Sequence, residues 1–187
     1  MGGLAIISST VHQDGTIEHF GNLRQNITFG TRDNSKNNIL ISFYDICKKS
    51  KFDVVLSEQI NLDLWKKWVF ISAVAGATTL FSCSLGDIAK HKFGPKILAD
   101  LYNECRSIAK SCGYEIEDEE ANNIIKSMAT PGSPIKASMQ RDVEKKSLTE
   151  HEEIFGNLIS KAQLSNIECP ILMSCYTRMK VYEDTLN

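Results

Sequence analysis

The sequence predicts a mainly α protein, a helical bundle preceded by short antiparallel strands. Two observations carry this. Over the first 58 or so residues, short apolar runs alternate with turn dipeptides; from about Asn61 apolar residues recur at helical spacing and keep doing so. No repeat or low-complexity tract interrupts the second pattern. The expected division is a β-rich lead-in over residues 1–58 and a helical domain over residues 59–187.

In the lead-in, Leu4-Ala5-Ile6-Ile7 is a short apolar run and Thr16-Ile17-Glu18-His19-Phe20 alternates apolar with polar. Asn26-Ile27-Thr28-Phe29-Gly30 follows, and Asp14-Gly15 and Gly21-Asn22 are turn signals, giving two or three antiparallel strands. Ser35 suits the N-cap of a helix with Ile39, Phe43, Ile46 and Cys47 along one side. Phe52-Asp53-Val54-Val55-Leu56 reads as one more strand.

Residues 62–81 form a long apolar helix whose middle, Ala73-Val74-Ala75-Gly76-Ala77, is small enough for another backbone to come close. Gly94-Pro95 opens a second helix with Ile97, Leu98, Leu101, Cys105 and Ile108 as its buried stripe, and Gly113 sits where a C-terminal cap belongs. Asp118-Glu119-Glu120 places negative charge at a helix start, where the macrodipole favours it, ahead of Ile124, Ile125 and Met128. Pro131-Gly132-Ser133-Pro134 is a loop. One helix follows over residues 150–164 and another opens at Pro170, for five or six in all.

With 187 residues, 42% of them hydrophobic, the chain can bury a core and is too apolar to be disordered. A net charge of -2 argues against a nucleic-acid partner. The longest apolar run, residues 68–81, contains Ser72, Thr78 and Thr79 and falls short of the roughly 20 residues that span a bilayer, so no membrane partner is expected. Residues 2–8 lack the basic start and apolar core of a secretory leader, which points to a soluble cytoplasmic protein. The six cysteines lack CxxC spacing and read as thiols in a reducing compartment, so the Asn26-Ile27-Thr28 glycosylation triplet carries no weight. The four histidines show neither HxH nor HExxH spacing, and no metal site is expected.

No GxGxxG follows a strand, and neither GxxxxGK[ST] nor GxSxG occurs, so the chain has no recognisable nucleotide cradle. The chemistry-bearing candidates are polar residues in apolar places. Lys66 and Lys67 lie in Leu64-Trp65-Lys66-Lys67-Trp68-Val69-Phe70 and point about 100° apart on a helix, so they cannot share one environment. Periodicity alone is satisfied if both snorkel to water beside Trp65 and Trp68. A second cluster, Ala137-Ser138-Met139-Gln140-Arg141-Asp142, fits a solvated helix, after which Thr149 would cap the next helix and Glu150, Glu152 and Glu153 would complement its dipole.

Taken together and in order, these pieces resemble the ketopantoate reductase (2-dehydropantoate 2-reductase) family. The carriers are Met1-Gly2-Gly3-Leu4-Ala5, Thr28-Phe29-Gly30, the Trp65-Lys66-Lys67 helix with Gly76, the Leu85-Gly86-Asp87-Ile88 turn, Asn103-Glu104 through Gly113, Ser138-Met139 with Asp142, and Thr149-Glu150 with Gly156. The resemblance covers essentially the whole chain. It implies a helical C-terminal domain of the ketopantoate reductase and 6-phosphogluconate dehydrogenase type, with lead-in strands that would complete the sheet of an N-terminal Rossmann domain.

By that resemblance Lys67 is the catalytic lysine, and Glu150 is the glutamate near nicotinamide and substrate, itself catalytic and the residue that contacts the cofactor. Ser138 contacts substrate, and Asp142 supports it. Hydride delivery to a ketone builds negative charge on its oxygen, which a lysine ammonium stabilises and protonates while a glutamate keeps the lysine charged. The implied ligands are a small 2-oxo acid and NADPH. No NADPH is expected on this chain unless a Rossmann domain is supplied, by a separate chain for example; a homodimer is a further expected arrangement. Some members carry asparagines where Ile71 and Ala75 stand here, which bears on substrate identity. The alternative is a non-catalytic helical interaction or dimerisation module.

Overall fold

The structure, a computed structural model, describes residues 1–7, 9–19, 25–33, 35 and 38–186. Two compact units divide between Leu64 and Trp65.

In the first unit, β1 (Gly2–Ile6) pairs antiparallel with β4 (Asn26–Gly30), and β2 (Ser9–Val11) pairs antiparallel with β3 (Ile17–His19) as a separate ribbon. The Asp14-Gly15 signal is the ribbon's turn: Gly15 has φ +84°, and His12 N–H donates to Thr16 O at 2.9 Å. The Gly21-Asn22 signal lies outside the described residues. β5 (Asp53–Leu56) joins β4 in parallel, giving the order β1-β4-β5, a departure from the antiparallel set expected of the lead-in. A parallel partner needs a crossover, and α1 (Asn38–Cys47) lies in that connection. Gly30 ends β4 because a Cβ there would sit 2.5 Å from Ser57 O, on the strand-to-helix connection after β5.

The face of α1 is rotated from expectation. Leu40 is buried, and Phe43 and Tyr44 bring their rings to 4.8 and 6.4 Å from Phe29 of β4, while Ile39 and Ile46 are 76% and 65% exposed. Ile39-Leu40-Ile41 offers two possible stripes, and the packed one runs through Leu40, Phe43, Tyr44 and Cys47, which keeps Phe43 and Cys47 of the expected face and leaves out Ile39 and Ile46. The Ser35 amide and hydroxyl donate to Asp33 Oδ1 at 3.1 and 2.8 Å, closing a local turn, and residues 36 and 37, between it and α1, lie outside the described residues.

The boundary between the units falls inside α2 (Ile60–Phe81). The second unit continues with α3 (Leu85–Ala89), α4 (Gly94–Ser111), α5 (Asp118–Met128), α6 (Ser138–Glu144), a π turn (Glu152–Gly156) opening α7 (Asn157–Leu164), and α8 (Pro170–Asp184). Its core gathers Val69, Ala73 and Ala77 of α2, Leu98, Leu101 and Ile108 of α4, and Leu172, Cys175 and Met179 of α8. Gly76 makes the crossing of these three helices possible, since a Cβ there would lie 3.0 Å from Cys175 Sγ and 3.1 Å from Leu101 Cδ2. All six cysteines are free.

Residues 85–88, read as a turn, form the short helix α3. Ser84 caps it by accepting from Asp87 N–H at 3.2 Å and donates to Asp87 Oδ2 at 2.5 Å; with Lys90 alongside, the Asp87 carboxyl is held down to about 2. Gly113, at φ +87°, ends α4 where the sequence placed it. The N-terminus of α8 is capped from another helix: Glu104 of α4 accepts from the amides of Ile171 and Leu172 at 3.0 and 2.8 Å.

Two glycines of this unit should respond oppositely to a methyl group. A Cβ at Gly94 would overlap the Ile88 carbonyl, whereas at Gly156 it would meet side chains alone, the end of Glu152 at 2.6 Å from Oε2 and Tyr176 Cε2 at 3.4 Å. Gly94→Ala should therefore lose more than about 2 kcal/mol in urea denaturation, and Gly156→Ala should stay within about 1 kcal/mol of the parent chain.

Candidate functional site

The four residues singled out by sequence all belong to the second unit, and α2 is the element to which their segments are tied. Lys67 is partly buried near the start of that unit's share of the helix. Lys66 does not face out: its Nζ pairs with Glu120 of α5 at 2.7 Å. Eleven residues make about three turns plus 20°, so Lys67 and Thr78 lie on one stripe of α2, about 16 Å apart along its axis.

At Thr78 the stripe meets the segment that carries Ser138, as Ala137 N–H donates to Thr78 Oγ1 at 3.3 Å. The adjacent stripe meets the segment that carries Glu150. Trp68 Nε1 donates to Ile154 O at 3.0 Å and Ser72 Oγ donates to the same oxygen at 3.5 Å, while Ile154 N–H donates back to Glu150 O at 3.0 Å. Lys67 thus stands at the level of the Glu150 segment, and the anchor of Ser138 lies further along the helix.

Ser138 is the exposed first residue of α6, and Met139 and Gln140 behind it are buried. Gln140 Nε2 donates to Glu144 at 3.2 Å, leaving Gln140 Oε1 without a partner among the described residues. Asp142 is half-buried towards α8: burial, then the Asp142 charge, push the Tyr182 phenol above its ordinary range. Tyr182 in turn donates to Ser147 O at 2.8 Å. The chain reverses after α6 with Lys146 at φ +55°, Lys146 N–H donating to Val143 O and Ser147 N–H to Asp142 O. This turn leads the backbone on to Thr149 and Glu150.

Thr149 does not cap the next helix. Its hydroxyl and His151 Nδ1 share a hydrogen bond at 2.9 Å across the exposed Glu150. Glu152 does more than complement a dipole, since it accepts from Tyr176 O–H at 2.8 Å and Lys180 Nζ at 3.2 Å, both on α8. These donors hold the Glu152 carboxyl below the usual range; Lys180, 2.6 Å from Glu183, lowers Glu183 as well and is itself raised. Sequence reasoning passed over His151, because an isolated histidine carries no spacing signal; its place between Thr149 and Glu152 was the available clue.

A cleft of about 430 Å³ beside the π turn is lined by Glu152, Glu153, Asn157, Ser160 and Tyr176 among others, and takes in none of Lys67, Ser138, Asp142 and Glu150. Among the described residues no His, Cys, Asp and Glu group is arranged for a metal ion, and no helix is long and apolar enough to cross a membrane. After β4 the chain runs into Thr31-Arg32-Asp33, without a glycine-rich loop.

Comparison with known proteins adds the following. Residues 59–183 match the family model described as ketopantoate reductase PanE/ApbA C terminal. An uncharacterized oxidoreductase of Bacillus subtilis, YkpB, is 29% identical over 183 residues, covering 98% of this chain and 60% of that protein. Among solved structures, a 2-dehydropantoate 2-reductase from Methylococcus capsulatus superposes with a TM-score of 0.85 at 23% identity, over 99% of this chain and 63% of that one. A D-mandelate dehydrogenase in complex with NADH gives the same TM-score, 0.85, at 19% identity over 99% and 63%. The chain therefore spans about 60% of the length of the relatives it matches.

The charges between the π turn and α8 give the unit a definite acid response. Glu152 and Glu183, both lowered, favour the folded state above the ordinary carboxylate range of about pH 4.5 and lose that contribution as the pH falls through their folded values. Lys180, raised by the same two carboxylates, stays charged throughout the acid range, so its contribution is lost as Glu152 and Glu183 take up protons. The stability gap between the parent and Lys180→Ala, read by urea denaturation, should be largest near neutrality and close as the pH drops towards 3.

Proposed function

The chain belongs to the ketopantoate reductase PanE/ApbA family, as its C-terminal part, and from that premise we propose that it provides the substrate-binding and catalytic surface of an NADPH-dependent reductase of 2-oxo acids, with ketopantoate converted to pantoate. The observation that supports this best is the double anchoring of α2, at Thr78 to the residue before Ser138 and at Trp68 and Ser72 to the segment after Glu150. A lysine, a serine and a glutamate far apart in sequence are thereby carried by segments of one rigid support.

In this reading the Lys67 ammonium meets the ketone oxygen as charge builds on it and gives it a proton, which lowers the barrier where the charge develops. Glu150 keeps the lysine charged and accepts from hydroxyls of cofactor or substrate. Ser138 serves the carboxylate or hydroxyl of the substrate, and Asp142 steadies the helix that presents it. Ile71, partly buried one turn of α2 after Lys67, gives the acid an apolar surface, and Ala75 on the next turn is packed into the core behind it. NADPH would be held by the part of the family's fold that this chain does not span.

The lead-in fits the same reading. β1 and β5 are the edges of the β1-β4-β5 sheet, and Ile6 is 52% exposed on the first of them, so residues 1–58 would complete the sheet of a nucleotide-binding domain. Its partner would be that domain, on a separate chain or a longer one, with a homodimer as the further arrangement and the cytoplasm as the compartment that keeps six thiols reduced.

Two measurements test this. Calorimetry of the 187-residue chain with NADPH should show no micromolar binding, and a micromolar dissociation constant would overturn the division of labour. With the nucleotide-binding part supplied, Lys67→Ala should lower turnover by about 10² to 10³, while Lys66→Ala, which loses only its pair with Glu120, should leave turnover within a few-fold. Equal effects would reject Lys67; no turnover even in the parent chain with the nucleotide-binding part supplied would favour the interaction module.

A further inference from the structure

His151 is the buried titratable group that the proposed chemistry leaves unused. Its ring is 2% exposed and its Nε2 has no hydrogen-bond partner among the described residues. Nδ1 shares the 2.9 Å hydrogen bond with Thr149 Oγ1, so the side chains on either side of Glu150 are clasped together. Nε2 faces two carboxylates at distances too long for a hydrogen bond: Glu183 Oε2 of α8 at 3.7 Å and Glu152 Oε1 of the π turn at 4.0 Å. Lys180 of α8 lies between these carboxylates, 2.6 Å from Glu183 and 3.2 Å from Glu152. Tyr176, also on α8, donates to Glu152 and sets its ring 6.0 Å from the imidazole.

From this geometry we infer that His151 is a proton-operated positioning residue for Glu150. The inference rests on the proposed role of Glu150 for its functional meaning, though not for its structural content. In the neutral ring with Nδ1–H donating to Thr149, Nε2 presents a lone pair to two carboxylates, so no hydrogen bond joins the ring to either of them, while Lys180 bridges the two. A proton on Nε2 turns this into a charge-assisted donor facing Glu183 and Glu152. Closing 3.7 Å to the usual length near 2.8 Å takes about 0.9 Å of movement, which draws α8 and the π turn towards the ring in competition with Lys180. Because Nδ1 holds Thr149, the movement passes to the backbone on both sides of Glu150. Acid thus shifts the glutamate through its neighbour rather than by protonating it.

The test is an NMR titration of the uniformly labelled full chain over about pH 5 to 8, the interval in which imidazole ordinarily changes charge. It follows the His151 ring, the amides of Glu150 and Ile154, and the thermal midpoint. The amides should step with the same midpoint as the His151 ring. The step should vanish in His151→Gln, which keeps a donor but cannot titrate. In Thr149→Val the ring should still titrate while the Glu150 amide no longer follows, so the linkage stays testable even if the glutamine variant folds poorly. A ring that does not titrate in this interval, a Glu150 amide that ignores it, or a step that persists in His151→Gln overturns the inference. Turnover of Glu150→Gln with the nucleotide-binding part supplied is a separate reading: unchanged turnover would remove the role of Glu150 and leave the linkage standing.

Discussion

The second unit depends on a stretch of helix that is enclosed on every side. Residues 72–79 of α2 are buried without a break, so this stretch has no solvent face and no amphipathic stripe to orient it. Two requirements follow. Neighbouring helices must come close, which Ala73, Ala75, Gly76 and Ala77 permit and Gly76 enforces where Cys175 and Leu101 press in. Polar groups inside must find partners locally, and the hydroxyls of Thr78 and Thr79 return to the carbonyls of Val74 and Ala75 at 2.8 and 2.7 Å. At the other end Trp65 stacks on Tyr114 with ring centres 5.3 Å apart, and Lys161 Nζ lies 5.7 Å from the Trp65 ring centre.

A helix fixed in this way is a ruler for what hangs from it. The loop entering α6 and the π turn opening α7 are irregular and would be poorly defined alone, yet each is pinned to α2 by a hydrogen bond from or to a named side chain. The π turn is also held from its far side, where Glu152 takes Tyr176 and Lys180 of α8. Glu150 sits at the mouth of this doubly held turn. Its surroundings are set by packing and by paired charge, while the residue itself stays open to solvent.

Much of this was legible in the sequence because the deciding signals are local. The apolar content of α2, Pro at the starts of α4 and α8, and Gly113 after α4 each act within a turn or two of their own position. The misreadings came from contacts between segments. Five residues cannot announce α3, whose stability comes from the Ser84 cap and the loop above it, where Leu85 N–H donates to Ile135 O. The stripe of α1 was settled by Phe29, and Lys66 was drawn inward by Glu120. Neither partner is within helical reach in sequence. Thr149 looked like a cap until a buried histidine two residues on took its hydroxyl. The site residues came from the family resemblance, because periodicity gives the direction of Lys67 but says nothing of what packs opposite it.

In the proposed reading, α2 gathers Lys67, Ser138 and Glu150 into one substrate site. The most direct measurement is a titration of the isotopically labelled chain with ketopantoate, reading the Lys67 ammonium and the amides of Ser138 and Glu150. The account predicts that all three shift along a single saturation curve while Lys66 and Glu120 stay still. Shifts at Lys67 without Ser138 and Glu150, or shifts gathered instead along the cleft between Glu153 and Ser160, would contradict it.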